Sequence, residues 1–308
     1  MITFFTTCKP FVGITAIHQA NALRSWRHVH PEAEVLLFGN EPDLPGIAAR
    51  LGVHHLGGVE TTEYGTPLVP SLFSLAADHA RHDTLAYVNA DVILTPSLAE
   101  AVGRVRLDRY LVVGRRWDVD LAEPLDPDQS GWADRLRKRV YRHGVLHAAR
   151  GMDYFVHSRS SFETLPPLAV GRAAWDNWMV YDCRRRRVPV VDATGAVLAV
   201  HQNHAYDHVP WGRAWTFEGP EAERNREILG GWDRRFTTQQ ADWILSGRGL
   251  RRCPWWRQGE SWSRAVEVHA LLHPWLLPIV RWRTTGSLAR HRLRRWSEHL
   301  LRSRTSEG

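Results

Sequence analysis

Asn89 and Asp91 are the residues whose type and position most directly suggest chemistry. They lie between two apolar runs, Leu85–Val88 and Val92–Leu94, which are typical of buried strands. A carboxylate in such a place is costly unless it meets water, a hydrogen-bond donor or a cation, and ligands of open α/β sheets bind beyond the carboxyl ends of the strands. Carboxylate and phosphate oxygens are preferred ligands of Mg²⁺ and Mn²⁺. The stretch therefore predicts a divalent-metal site for a nucleotide diphosphate, although an Asn-x-Asp sequence alone also fits a turn or a helix cap.

The predicted N-terminal strand, Ile2–Thr7, ends in a second group of polar residues. Thr6, Thr7 and Lys9 lie at its carboxyl end, and the helical pattern of Gly13–Val29 follows. Ligands bind at this edge of such sheets, so these side chains are candidates for ligand contact. A Thr-Thr pair that simply ends a strand is the alternative interpretation.

A carboxylate follows a glycine at the start of a later predicted strand, Gly151–His157. Gly151 permits close backbone approach, and the carboxylate of Asp153 is a candidate for ligand contact. A glycine turn beside a polar strand end is the simpler explanation of the same pattern.

Two Trp residues flank a polar pair in Trp175-Asp176-Asn177-Trp178. The flat faces of Trp suit the apolar faces of sugars, whereas an Asp at the start of a helix is also favoured by the helix dipole. His201 and His204 follow the last predicted strand, Ala196–Val200. Imidazole suits Mn²⁺ better than Mg²⁺, and hydrogen-bond capping of the strand end is the alternative.

Short apolar runs alternate with helical patterns through most of the chain, as in a parallel, doubly wound sheet. The Pro- and Asp-rich segment 121–130 and the basic helix predicted at 131–141 are expected to form an insertion or lid beside the site. The further predicted strands are Glu34–Phe38, Val53–Leu56, Tyr110–Gly114 and Val188–Asp192, and the further predicted helices are Ile47–Leu51, Ser71–His82, Ser97–Val102, Ala173–Cys183 and Glu221–Leu229.

Positive charge is concentrated near the C-terminus. The formal net charge is +7, and twelve Arg and four Glu occur from residue 251 onward, so the rest of the chain is close to neutral. Ala289, Leu293, Trp296 and Leu300 recur at helical spacing among many Arg, which predicts a basic amphipathic helix. Such a helix favours an anionic membrane surface, whereas nucleic-acid binding needs a basic patch with stacking platforms on a folded surface.

Cysteine usage and the N-terminus favour a cytoplasmic location. Three cysteines without metal-like spacing argue against a disulfide framework. The stretch Met1–Thr7 lacks the basic region and the long apolar core of a signal peptide, and no run approaches the roughly 18 apolar residues of a membrane span. We therefore expect a cytoplasmic protein, located at the inner face of the membrane if the basic tail binds lipid.

The order of these motifs resembles that of the GT-A fold glycosyltransferases. The shared features are an N-terminal β–α unit, an Asp-x-Asp-like motif at a strand end, a Gly-x-Asp stretch, an acidic residue that opens a helix, and a late His, within residues 1–230. The resemblance implies a GT-A-like α/β fold, with a mixed, mainly parallel sheet flanked by helices. It also implies transfer of a sugar from a nucleotide-diphosphate donor, UDP-type favoured, to an acceptor hydroxyl with Mn²⁺ or Mg²⁺. The usual first Asp of the motif is Asn89 here, so the metal site would lose one charge.

The resemblance also implies roles for individual residues. Asp91 would bind the metal, with His204 favoured over His201 to complete the metal shell. Asp176 would deprotonate the acceptor hydroxyl if the enzyme inverts. The implied nucleotide contacts are Thr6, Thr7, Lys9 and Asn89, and the implied donor-sugar contacts are Gly151, Asp153, Trp175 and Asn177.

We expect a catalytic domain over residues 1–230 and a basic, Trp-rich helical extension over 231–308. The nucleotide-sugar half would lie near 1–115 and the acceptor half near 150–230. The acceptor stays open between a glycan, a lipid-linked and a natural-product hydroxyl, as do the donor sugar, its base and the stereochemical outcome. One alternative is a sugar-1-phosphate nucleotidyltransferase, although the Gly-rich basic loop of those enzymes is here Thr-Thr-Cys-Lys-Pro. Another is a non-catalytic protein that binds a membrane surface or nucleic acid through its tail.

Overall fold

The computed structural model describes residues 1–204 and 212–276. The chain divides into two compact units, 1–254 and 255–308. In the first unit, helices flank a large and a small β-sheet; in the second, the described residues 255–276 are mainly helical. Within the described ranges, no helix is both long and apolar enough to cross a bilayer. The amphipathic helix predicted around Ala289–Leu300 lies outside these ranges.

The elements follow one another in a largely alternating order. The strands are β1 (Thr3–Thr7), β2 (Glu34–Phe38), β3 (His54–Leu56), β4 (Thr84–Val88), β5 (Val92–Leu94), β6 (Leu111–Val113), β7 (Trp117–Val119), β8 (Val145–Leu146), β9 (Tyr154–Ser158), β10 (Val190–Asp192), β11 (Ala199–Gln202), β12 (Trp243–Ser246) and β13 (Gly249–Arg252). The helices are α1 (Gly13–Arg27), α2 (Leu44–Leu51), α3 (Val69–His79), α4 (Ser97–Val102), α5 (Trp132–His143), α6 (Trp175–Arg185), α7 (Gly212–Glu218), α8 (Pro220–Leu229) and α9 (Trp262–Leu272).

The large sheet is mixed and mainly parallel. Its described strands have the order β13-β12-β10-β6-β9-β4-β1-β2-β3. β1 pairs in parallel with β2 and β4, whereas β9 runs antiparallel to both of its neighbours, β4 and β6. The predicted fold class is therefore confirmed. β12 and β13 extend this sheet beyond residue 230, where we expected the catalytic domain to end.

A second sheet, β5-β11-β7-β8, positions the candidate site. The chain leaves the large sheet after β4, turns through Asn89–Asp91, and enters the small sheet as β5. The turn is closed by the Val92 N–H, which donates to the Asn89 carbonyl at 3.0 Å. β11 pairs antiparallel with β5 and parallel with β7, so that His201 is opposite both Val92 and Asp118. Asp91 thus lies where the two sheets meet.

α1 ties the two sheets together. The indole of Trp26 is fully buried, stacks on Phe4 of β1 at a ring-centroid distance of 5.9 Å, and donates to the Val92 carbonyl of β5 at 2.8 Å. A fully buried aromatic side chain contributes about 1.5–3 kcal/mol to stability through the hydrophobic effect alone. The hydrogen bond to Val92 also satisfies the buried N–H of the Trp26 indole. This contact holds the start of β5, and with it Asp91, against the core.

The segment predicted as a lid is bonded to α1. His18 Nε2 lies 2.8 Å from the Leu121 carbonyl, and Asn21 makes two hydrogen bonds to the same segment, to the Glu123 carbonyl at 3.0 Å and from the Leu125 N–H at 2.6 Å. The indole of Trp132 packs with Leu121 in a small apolar cluster. The segment therefore covers α1 through specific contacts made by buried polar side chains of that helix.

Several element boundaries differ from those predicted. α3 begins at Val69, with Pro70 in its first turn, and ends at His79 because Ala80 is extended. α2 begins three residues earlier than predicted, at Leu44, with a Pro in its first turn. β11 is Ala199–Gln202, not Ala196–Val200, so His201 lies inside a strand and does not follow it. The short strands β7 and β8 were not predicted, since three and two residues carry little periodic signal.

Candidate metal centre

Asp91, His201 and His204 converge at the junction of the two sheets. Their ligand atoms lie within 4.8 Å of one another, with His204 Nε2 3.1 Å and His201 Nε2 4.0 Å from Asp91 Oδ2. The second carboxylate oxygen, Asp91 Oδ1, is buried and has no hydrogen-bond partner among the described residues. A buried acceptor without a donor costs about 1–3 kcal/mol, and a cation would remove that cost. One carboxylate and two imidazoles form a donor set for a divalent transition-metal ion, and they suit Mn²⁺ better than Mg²⁺.

The electrostatics around Asp91 keep it ionised. Burial by itself would raise the pKa of Asp91, but the hydrogen bond from His204 and the charges of His201 and Lys9 outweigh burial and hold the pKa well below its usual value. Lys9 Nζ lies 3.6 Å from Asp91 Oδ2 and 3.4 Å from His204 Nε2. The site therefore presents an ionised carboxylate that is already surrounded by positive or protonatable groups.

A second carboxylate, Asp118, lies on the far side of His201. Asp118 Oδ1 is 3.2 Å from His201 Nδ1, a close contact that does not meet hydrogen-bond geometry. Arg116 Nε donates to the same oxygen at 2.8 Å, and His147 Nδ1 is 2.6 Å from Asp118 Oδ2. Arg116 directly precedes β7, Asp118 lies within β7, and His147 follows β8. All three thus lie in or beside strands of the small sheet.

Asn89 and Asp153 contact each other beside this cluster. The Asn89 side-chain amide donates to Asp153 Oδ1 at 2.9 Å, and its backbone N–H donates to the Asp153 carbonyl at 2.9 Å. Arg116 donates to Asp153 Oδ2, and so joins Asp153 to Asp118. The structure thus brings these two predicted residues together, while their contacts with nucleotide and donor sugar stay predictions.

Asp176 opens α6 and has an unusually basic carboxylate. Burial raises the pKa of Asp176 to about 7, and the negative charge of Asp153 acts in the same direction. The Asn177 N–H donates to Asp176 Oδ1 at 2.8 Å, which moderates the shift. A carboxylate with a pKa near neutrality is a suitable general base.

The neighbours of Asp176 on α6 contact the protein core. The Trp175 ring is buried, with its centroid 5.1 Å from that of Tyr87 and 4.9 Å from that of Phe155. The buried Asn177 side chain donates to the Phe236 carbonyl at 2.8 Å. Both side chains have a packing role in this structure, and their contact with a donor sugar stays a prediction.

The remaining predicted residues lie at the end of β1, in the loop after it, and beside His147. The fully buried Thr6 hydroxyl donates to the carbonyl of Thr7 at 3.0 Å, and the Lys9 N–H donates to the Gln19 side chain at 2.7 Å, which fixes the loop after β1. Gly151 is in close contact with a ring: a Cβ there would lie 2.3 Å from His147 Cδ2. Glycine is thus needed at this position for the approach of His147.

Arg116, Asp118 and His147 were not singled out from the sequence. Arg115-Arg116-Trp117-Asp118 directly follows the strand predicted at Tyr110–Gly114. Residues that follow such a strand lie at the ligand-binding edge of the sheet, so Arg116 and Asp118 could have been predicted as site residues from their position. His147 follows a two-residue strand, and no pattern in the sequence indicates its place.

Sequence comparisons do not assign the chain to a known protein family. No protein-family model matches the chain, and no curated protein matches it. Among solved structures, S. aureus TarS 1–349 in complex with UDP-GlcNAc is 14% identical (TM-score 0.29) and glucosyl-3-phosphoglycerate synthase from Mycobacterium tuberculosis in complex with Mg²⁺ and UDP is 15% identical (TM-score 0.40). The mannosyltransferase PcManGT from Pyrobaculum calidifontis in complex with GDP-Man and Mn²⁺ is also 15% identical (TM-score 0.43).

The extent of these matches varies. They cover 38%, 67% and 94% of this chain, respectively, and 35%, 73% and 75% of the three solved chains. This chain thus spans about a third of the length of the TarS structure. With TM-scores below 0.5, these similarities carry no argument about the activity of this chain.

Proposed function

We propose that the chain is a glycosyltransferase that moves a sugar from a nucleotide-diphosphate donor, of UDP type, to an acceptor hydroxyl with Mn²⁺ or Mg²⁺. The observation that carries the proposal is the placement of Asp91. Its buried Oδ1 has no partner among the described residues, and its Oδ2 faces His201 and His204 at the carboxyl end of a parallel strand. A divalent ion bound there would share its remaining positions with phosphate oxygens of the donor.

The charged residues around the metal centre have different proposed roles. Asp91, His201 and His204 would hold the metal ion, which would supply positive charge to balance the charge that develops on the diphosphate leaving group. The ammonium of Lys9, 3.6 Å from Asp91, is close enough to pair with the same diphosphate. Asp153, joined to Asn89 and Arg116, presents a fixed carboxylate edge for sugar hydroxyls.

Asp176 is the proposed general base of an inverting transfer. In that step the acceptor oxygen forms a bond to the anomeric carbon, the bond from that carbon to the diphosphate oxygen breaks, and the proton of the acceptor hydroxyl passes to Asp176. The electron pair of the broken bond leaves with the nucleotide diphosphate, so atoms and charge balance. A pKa of about 7 makes the carboxylate a stronger base than an ordinary Asp.

The proposal is tested by removal of the Asp91 carboxylate. Asp91→Ala and Asp91→Asn should abolish donor hydrolysis and sugar transfer while the protein stays folded. The control is Asp83→Asn, which removes a carboxylate with 96% side-chain exposure and should leave both activities unchanged. The donor is identified by a panel of nucleotide sugars, scored by thermal shift with and without Mn²⁺, because a ligand that binds the native state raises apparent stability. Full activity of Asp91→Asn would disprove the metal-dependent mechanism.

The acceptor and the location are a further part of the proposal. We propose a cytoplasmic protein whose basic tail binds an anionic membrane surface, with a glycan, lipid-linked or natural-product hydroxyl as acceptor. In the second unit, Trp256, Trp262 and Trp275 have 53%, 63% and 72% of their surface exposed, and Trp is enriched at membrane–water interfaces.

A vesicle assay tests this location. The full chain should co-sediment with phosphatidylserine-containing vesicles and not with neutral ones, and added salt should weaken binding, since charge attraction is screened. Substitution of Arg290, Arg292, Arg294 and Arg295 by Gln should reduce the bound fraction. Equal binding to neutral and anionic vesicles would remove the electrostatic basis of the proposal.

A further inference from the structure

We propose that Asp118 is a positioning residue that orients His201, so that Nε2 of the ring faces a cation held by Asp91. The inference rests on the proposed metal-dependent function and deepens it. Asp118 is not among the three residues whose ligand atoms converge; it acts through the imidazole that lies between the two carboxylates.

The backbone sets this arrangement. β7 and β11 pair in parallel with His201 opposite Asp118, and the flanking pairs Val200–Trp117 and Gln202–Val119 fix the register on both sides. Facing residues of neighbouring strands point to the same face of a sheet. The Asp118 carboxylate is therefore held beside the His201 ring whatever occupies the metal position.

The two nitrogens of His201 face different carboxylates. Nδ1 is 3.2 Å from Asp118 Oδ1, whereas Nε2 is 4.0 Å from Asp91 Oδ2. A carboxylate beside Nδ1 favours the tautomer with the proton on that nitrogen, which leaves the lone pair on Nε2. Histidine ligands of metals commonly donate their second ring N–H to a carboxylate in this way.

Asp118 is itself held on both oxygens. Arg116 donates to Oδ1 at 2.8 Å and His147 Nδ1 lies 2.6 Å from Oδ2. His147 is in turn fixed at its carbonyl, which accepts from Arg115. These two contacts hold the Asp118 carboxylate in an orientation that directs Oδ1 at the His201 ring. A carboxylate that served only to neutralise Arg116 would not require a histidine ring on its other side.

The test measures Mn²⁺ affinity by the EPR signal of the free ion, with Mn²⁺ alone and with Mn²⁺ plus UDP. Asp118→Asn should bind Mn²⁺ about 10–100-fold more weakly, the range found when partners of metal ligands are removed. Asp128→Asn is the matched control. It removes a carboxylate that pairs with a different histidine, His28, at 2.9 Å on the surface, and it should leave the affinity unchanged.

A double-mutant cycle separates positioning from a general structural effect. If Asp118 acts through His201, then Asp118→Asn should add no further loss in a His201→Ala background. Pulsed EPR adds a direct signature, since the ¹⁴N modulation of bound Mn²⁺ should fall in Asp118→Asn and in His201→Ala alike. Asp118→Glu keeps the negative charge but moves the carboxylate oxygens, and should recover part of the Mn²⁺ affinity. This variant provides a second test if Asp118→Asn folds poorly.

Two failures are distinguishable. Wild-type affinity in Asp118→Asn, or an equal loss in the presence and absence of His201, would overturn the inference while the metal-dependent function stands. An absence of Mn²⁺ binding by the wild-type chain, with and without UDP, would overturn both.

Discussion

The ammonium of Lys9 lies 3.6 Å from Asp91 Oδ2, so a cation of the protein already occupies one side of the carboxylate on which the metal proposal depends. Lys9 Nζ is also 3.4 Å from His204 Nε2. An ammonium donates hydrogen bonds but has no lone pair with which to bind a metal ion. A divalent ion and Lys9 would therefore compete for Asp91, and donor binding would draw the ammonium toward the diphosphate.

This competition predicts opposite effects of one substitution. Lys9→Met should bind Mn²⁺ alone about fivefold more tightly, since an ion pair with one partly exposed partner contributes about 1 kcal/mol at most. The same variant should bind UDP more weakly, because it loses a charge beside the diphosphate. Isothermal titration measures both affinities. Lys138→Met, the same change on the exposed face of α5, is the control, and weaker binding of both ligands by Lys9→Met would contradict the competition.

The pKa of Asp176 predicts the pH dependence of transfer. Burial raises this pKa to about 7, and only the ionised form accepts a proton from the acceptor hydroxyl. The transfer rate at low donor concentration should therefore rise with pH up to about 7 and level off above it. Asp176→Asn should lose about 100-fold or more of the rate and the dependence on pH near 7. A wild-type profile that is flat between pH 5 and pH 8 would exclude Asp176 as the base.

The same carboxylate predicts a change in stability. The folded-state pKa of about 7 lies above the ordinary value of 3.8, so the folded protein binds a proton that the unfolded chain releases. The free energy of unfolding contributed by this group therefore falls as pH rises from about 4 to about 7 and is constant above. Asp176→Asn should raise the melting temperature, and by more at pH 8 than at pH 5. A gain of equal size at both values would show that burial does not shift this group.

Much of the fold and part of the site followed from local sequence patterns. Asp91 was predictable because two apolar runs bracket a polar turn, and the alternation of strands with helices indicated a mainly parallel sheet around it. His204 required more, since its approach to Asp91 depends on a strand, β11, whose predicted bounds were wrong by two to three residues. The predicted strand ended at Val200, so His201 was assigned to a loop.

The partners of Asp118 could not be inferred from local patterns. His147 and Asp118 meet through β7 and β8, which pair over two residues and leave no periodic signal. Arg116 joins two carboxylates that are 35 residues apart in the chain (Asp118 and Asp153). Contacts of this kind depend on sheet register and on long-range pairing, and a single sequence specifies neither directly.

Gly151 provides a last test of the arrangement around Asp118. A Cβ at this position would meet His147 Cδ2 at 2.3 Å, Cγ at 2.7 Å and Cβ at 3.0 Å, so rotation of the ring alone would not relieve the clash. Gly151→Ala should lower the free energy of unfolding by about 1–3 kcal/mol. Since the substitution displaces one support of Asp118, Mn²⁺ affinity should also fall, but by less than in Asp118→Asn, because Arg116 still holds the carboxylate. Gly247→Ala, where no atom lies within 4 Å of the added Cβ, is the control for both measurements, and a Gly151→Ala variant that matches it in melting temperature and in Mn²⁺ affinity would refute the coupling.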